Sequence, residues 1–172
     1  MNTVLLTNLI KIRWIAIAGQ LITLFITFFL FNFNIPLTEC LLVVISSVLI
    51  NFYSYFIQRA NSTLSDKKTF LFLLFDISQL VGLLFLTGGV FNPFVVLILA
   101  PIIISASYLS ALWTILLSLY SILLILIINF NYVPLNWEQN FIIPLIYNIG
   151  ILVALIITII FIAIYAYLFA SS

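Results

Sequence analysis

Between residues 88 and 94 the chain reads Gly-Gly-Val-Phe-Asn-Pro-Phe, and three of its ten glycines and prolines fall in that run. The residue types there could do more than turn the chain. Gly88 and Gly89 free the backbone to adopt positive φ. The Asn92 amide and the unpaired N–H groups of a following helix could donate hydrogen bonds, and Phe91 and Phe94 could offer flat aromatic faces. A plain structural reading uses the same atoms. Asn is a good N-cap and Pro suits the first helical position, where its missing N–H leaves nothing unpaired, while the phenyl rings pack on neighbouring helices. Twelve residues upstream of Gly88 stands a second candidate, Asp76, with Gln79 three residues later on the same helical face. Carboxylates inside apolar runs are rare and often mark function. Gln79 could hydrogen-bond Asp76 along the helix; the structural alternative is an interhelical hydrogen bond to a polar residue such as Gln20 or Asn51, against a proton-coupled or quinone-coupled role.

The elements that must position these residues follow from composition. Of 172 residues, 66% are hydrophobic and 5% charged, whereas a soluble domain carries about 25% charged residues. The charges leave long uncharged stretches at 14–38, 40–58 and 77–137 and after Glu138. A helix needs roughly 20 apolar residues to cross the hydrocarbon. The expected fold is therefore all-α: a polytopic integral membrane bundle of six transmembrane helices filling residues 1–172 as one domain. Spans are expected at about 14–33, 38–57, 70–87, 94–108, 112–130 and 141–168. Asn34-Ile35-Pro36 stops the first. The stretch 94–130 is too long for one crossing, at about 1.5 Å per residue, and must fold back in the Ser105–Trp113 region. The first apolar stretch exceeds a signal-peptide core, so no cleavage is expected.

Lys11 and Arg13 precede the first span, and Arg59, Lys67 and Lys68 lie between the second and third. Positive residues favour the cytoplasmic side, which predicts both termini in the cytoplasm. Trp14, Trp113 and Trp137 fall near the expected boundaries, where indole rings anchor. A net charge of +1 without a basic run excludes nucleic acid as a partner. Cys40, the single cysteine, cannot form an internal disulfide and reads as a small buried residue near a helix end. With no His and one Cys, no residue is assigned a catalytic or metal-ligating role.

The run GGxxNPF resembles a motif in the membrane domain of the RegB/PrrB family of redox-sensing histidine kinases, where it joins the third and fourth spans and is associated with quinone binding. Arg13-Trp14 with Ala18-Gly19-Gln20 resembles the opening of that family's first span. Asp76, Gln79 and Leu80 with Leu86-Thr87 resemble its third, and Leu97 to Pro101 its fourth. The resemblance implies a redox-sensing input domain of a two-component sensor kinase that binds ubiquinone or another membrane quinone. The site would be the loop Gly88, Gly89, Phe91, Asn92, Pro93 and Phe94, with Asp76 and Gln79 available for coupling. It also implies a homodimer in the bacterial inner membrane, in contact with the lipid bilayer, and a response regulator of the RegA/PrrA type as partner.

Family members continue beyond the sixth span into a phosphorylated His and an ATP-binding kinase core. This chain contains no His, so the expectation is the sensory portion of a longer histidine kinase or a truncated or free-standing relative. The family's redox-active Cys lies in the linker beyond the membrane domain, so Cys40 is not given that role. The rival reading is a small membrane transporter or transporter half, which also breaks its spans with Gly and Pro at a binding site; a structural membrane subunit is the third. A transporter needs a water-accessible polar path at mid-membrane, and apart from Asp76 and Gln79 the spans offer few residues for one.

Overall fold

The computed structural model describes residues 6–30, 33–57, 64–135, 145, 148–149, 151–153, 155–156, 158–160 and 162. These residues fold into helices joined by short connections. Helix α1 (Leu6–Phe25) continues into a π-helical turn, Ile26–Leu30, and α2 spans Leu37–Ile57. Helix α3 (Asp66–Leu86) is followed by 3₁₀ turns at Gly89–Phe91 and Pro93–Ile98, then α4 (Leu99–Tyr108) and α5 (Ala111–Phe130). Among the described residues, four helices are long and apolar enough to cross a membrane, and shorter apolar helices cover Pro93–Tyr108 and Ile151–Ile160. The expected sixth span, 141–168, lies largely outside the described residues, as do Trp137 and Glu138.

Each connection has a local cause. The first helix ends before Pro36, whose carbonyl accepts the Cys40 N–H at 3.0 Å and so opens α2. Ser65 precedes α3 in extended backbone, with Asp66 in the first turn, where a negative charge favours the helix dipole. Beyond Thr87, Gly88 and Gly89 take φ of 103° and 62°, a left-handed conformation that side chains with a Cβ disfavour. Between α4 and α5 the chain reverses at Leu109-Ser110.

Helix α3 is the central element: it packs against α2, α4 and α5, while α1 packs mainly on α2. Around α3 the larger core gathers Leu73, Ile77, Leu84, Ile98, Ile102, Leu117 and Ile125. A smaller core joins Ile17, Leu24, Cys40, Val44 and Leu83 between α1, α2 and α3. Cys40 is fully buried there. Hydroxyls supply interhelical polar contacts where lipid offers no water: Ser105 and Thr114 share a hydrogen bond at 2.9 Å, and Ser78 and Tyr120 one at 2.8 Å. Large side chains such as Ile15, Ile22, Leu49, Phe56 and Phe130 point outward, as lipid-facing positions do.

Candidate functional site: a cavity between the first and third helices

The apolar stripe of α1 is interrupted at regular helical spacing. Leu9, Arg13, Ile17, Gln20, Leu24 and Thr27 line one face, and α3 presents Asp76, Gln79, Leu80, Leu83, Leu84 and Thr87 toward it. Between these faces lies a cavity of about 1200 Å³, walled on its far side by Phe91 to Phe94, Leu97, Ala100 and Pro101. Near the Gly88–Gly89 turn it is closed by Tyr132 and Leu135, from the segment after α5. Ala16, Gly19 and Ala100 are small, exposed and on the cavity rim, and a Cβ added at Gly19 would meet nothing within 4 Å. The seam between α1 and α4 is therefore open at the surface of the bundle.

Two polar rungs cross the cleft. Arg13 Nε donates to Asp76 Oδ1 at 2.9 Å and Nη2 to Asp76 Oδ2 at 3.1 Å, a bidentate pair whose side chains are 6% and 21% exposed. Nη2 also donates to the Phe72 carbonyl at 3.1 Å, and the guanidinium carbon lies 4.6 Å from the Phe72 ring centre. Further along, the amides of Gln20 and Gln79 exchange hydrogen bonds at 3.2 and 3.1 Å. Both rungs climb α1 and α3 in the same sequence direction, so the two helices run parallel. The Gln79 amide pairs with Gln20 and not with Asp76, whose partner is Arg13. Asn51 is engaged elsewhere, its amide donating to the Ile10 carbonyl at 3.2 Å.

Arg13 belongs to this site, although charge counting places it among the flanking residues that set orientation. Its helix begins at Leu6 and carries Lys11 and Arg13 within it, instead of starting at Trp14. A guanidinium can sit inside the bundle because Asp76 supplies the counter-charge and Phe72 a further acceptor. The signal was present in the periodicity, since Arg13 and Gln20 lie seven residues apart and thus on one helical face.

Beyond the C-terminal end of α3 the loop is held by its own residues. Asn92 Oδ1 accepts the Phe94 N–H at 2.9 Å and Pro93 follows at the first helical position, which is the capping arrangement. The Asn92 amide donates to the Thr87 carbonyl at 3.0 Å and to the Thr87 hydroxyl at 2.7 Å, tying the end of α3 to the start of the next helix. Gly89 passes so close to the segment after α5 that a Cβ there would come within 2.8 Å of the Tyr132 side chain. Phe91 stacks edge-on against Tyr132, ring centres 5.7 Å apart, and the Val133 N–H donates to the Phe85 carbonyl at 2.8 Å. Phe94 is exposed beside the cavity mouth. The structure thus brings Gly88, Phe91, Asn92, Pro93, Phe94, Asp76 and Gln79 onto one cavity and leaves Gly89 in the packing behind it.

Comparison with known proteins fits this arrangement to a family. The chain is 35% identical over 163 residues to the sensor histidine kinase RegB of Cereibacter sphaeroides, a match covering 94% of this chain and 35% of that protein. A second RegB sequence of the same species is 36% identical over 75 residues, covering 44% of this chain and 16% of the relative. The chain thus spans about a third of the length of the first of these relatives. No protein-family model matches, and no solved structure matches. With that identity along nearly its whole length, and with helices apolar enough to cross a bilayer, the chain belongs to the RegB/PrrB family of sensor histidine kinases as a membrane sensor domain.

Proposed function

We propose that the domain is the redox-sensing, quinone-binding input of a two-component histidine kinase. The observation that carries the reading is the lipid-facing cavity that joins the GGxxNPF loop to the Arg13–Asp76 and Gln20–Gln79 rungs. A quinone is a flat ring with two carbonyl acceptors and a tail that prefers hydrocarbon. Aliphatic walls, aromatic edges at Phe91 and Phe94, buried donors and a mouth of small residues match those needs. Ubiquinone or another membrane quinone would enter sideways from the bilayer, leaving its tail between α1 and α4.

In this reading the ligand acts by fitting one spacing of α1 and α3 better than another, since a ligand shifts an equilibrium only through differential affinity. The shift would pass through the sixth span to a kinase core, which works as a homodimer on a response regulator of the RegA/PrrA type. The proposed setting is the bacterial inner membrane, with six spans and both termini cytoplasmic. Parallel α1 and α3 agree with alternating spans. A small transporter would also use polar rungs inside a cavity, so solute flux into proteoliposomes holding the chain would favour that second reading.

The test is photolabelling of the purified chain in nanodiscs with a short-tailed azido-benzoquinone. Labels are expected on cavity-lining residues of both walls, such as Ile17, Leu24, Leu80, Leu84 and Leu97, and excess unlabelled benzoquinone should suppress them. Labelling of outward residues such as Ile15 and Ile22 alone, or labelling that does not saturate, would overturn the proposal.

A further inference from the structure

The loop residue best equipped to donate hydrogen bonds has none to spare. An Asn amide carries two hydrogens, and those of Asn92 meet the Thr87 carbonyl and hydroxyl while its oxygen caps Phe94. Any ligand that took a hydrogen bond from Asn92 would have to break the clip that closes the loop. The situation deeper in the cavity is the opposite. The reciprocal Gln20–Gln79 pair uses one amide hydrogen from each side chain, so each retains a second. Arg13 commits Nε and Nη2 to Asp76 and the Phe72 carbonyl, and among the described residues its Nη1 has no partner. All three side chains line the same cavity.

Resting on the quinone reading above, we infer that the ring is recognised inside the membrane by Gln20 and Gln79, with Arg13 as the neighbouring donor, and that the GGxxNPF loop supplies walls. The ligand class is a flat ring bearing opposed carbonyl acceptors, the benzoquinone or naphthoquinone pattern. Its first carbonyl accepts from the spare amide hydrogens of the Gln20–Gln79 rung, and its second faces Arg13 Nη1. Aliphatic residues of the same cavity, Ile17, Leu80 and Leu84, bound the ring faces. Asn92 is then a positioning residue that sets the loop and never touches the carbonyls.

The probe is a decyl-tailed benzoquinone labelled with ¹³C at its carbonyls, added to the full chain in nanodiscs. Replacing both members of the rung, Gln20→Leu with Gln79→Leu, removes two buried amides together and leaves neither orphaned, so folding should survive. Affinity is expected to fall about 2- to 13-fold for each hydrogen bond lost, and the infrared carbonyl band should move back toward its unbonded position. Asn92→Ser should leave the band where it is. A measurement on the unmutated chain keeps the test independent of folding: magnetisation transfer from ¹⁵N-glutamine side chains to the quinone carbonyl carbons is expected, and transfer from ¹⁵N-asparagine is not. Saturable binding with an unmoved band in the double variant, or with transfer only from asparagine, overturns this inference and leaves the quinone reading standing. Absence of saturable binding to the unmutated chain overturns both.

Discussion

The Arg13–Asp76 pair gives the sharpest quantitative prediction. Its two contacts at 2.9 and 3.1 Å are made by side chains only 6% and 21% exposed. Removing Asp76 as Asp76→Leu strands a guanidinium that stays charged, with only the Phe72 carbonyl at 3.1 Å and the Phe72 ring beside it. Breaking a buried pair from one side costs about 3–5 kcal/mol, whereas replacing both partners by apolar groups is often neutral. Adding Arg13→Leu to the single variant is thus expected to restore about 2–4 kcal/mol. Arg13→Leu alone should cost less than Asp76→Leu, because the carboxylate left behind is the more exposed partner. The assay is equilibrium unfolding in mixed micelles by increasing sodium dodecyl sulfate, run on all four proteins at one concentration. Independent sites add within about 0.3–0.5 kcal/mol. Additivity at that level would mean that the pair does not form in the bilayer, and the parallel docking of α1 beside α3 would fall with it.

Five further outcomes are expected. Gly89→Ala should lose about 2 kcal/mol or more, since φ is 62° and the new Cβ would lie 2.8 Å from the Tyr132 side chain and 2.9 Å from the Ile128 carbonyl oxygen. Gly82→Ala is its control: the nearest atom is a Val43 methyl at 3.6 Å, so thermal stability should hold or rise. Gly19→Leu faces open space and favours the helix by about 0.8 kcal/mol; it should keep or raise stability while slowing benzoquinone entry, and unaltered association kinetics would argue against a mouth between α1 and α4. Cys40→Ser, measured in a full-length kinase, should leave the quinone response intact, because the thiol is fully buried in helix packing and does not line the cavity. Reporter fusions at Ser172 and within residues 58–69 should both behave as cytoplasmic, and a periplasmic signal from either would break the six-span count.

Features that depend on a few neighbouring residues were legible in the sequence. Long uncharged apolar runs require helices, because an isolated backbone in hydrocarbon must satisfy its own hydrogen bonds. Two glycines ahead of Asn-Pro require a left-handed turn and a capped restart, and Gly88, Gly89 and the Asn92-to-Phe94 hydrogen bond supply them. The reversal at Leu109-Ser110 sits where serines loosen the apolar pattern. The partners of the polar side chains were not legible. Arg13 and Asp76 are 63 positions apart, and Gln20 and Gln79 are 59. Periodicity shows which face of a helix carries a polar group, but the face it meets is decided by how the helices pack around α3. For that reason the sequence alone leaves Arg13 a flanking charge, offers Asp76 a choice of Gln79, Gln20 or Asn51, and leaves the Asn92 amide available. Only packing turned Asn92 inward to Thr87, set Arg13 against Asp76 and left a cavity between them, because a hydrogen bond or void between distant segments exists only once their surfaces are brought together.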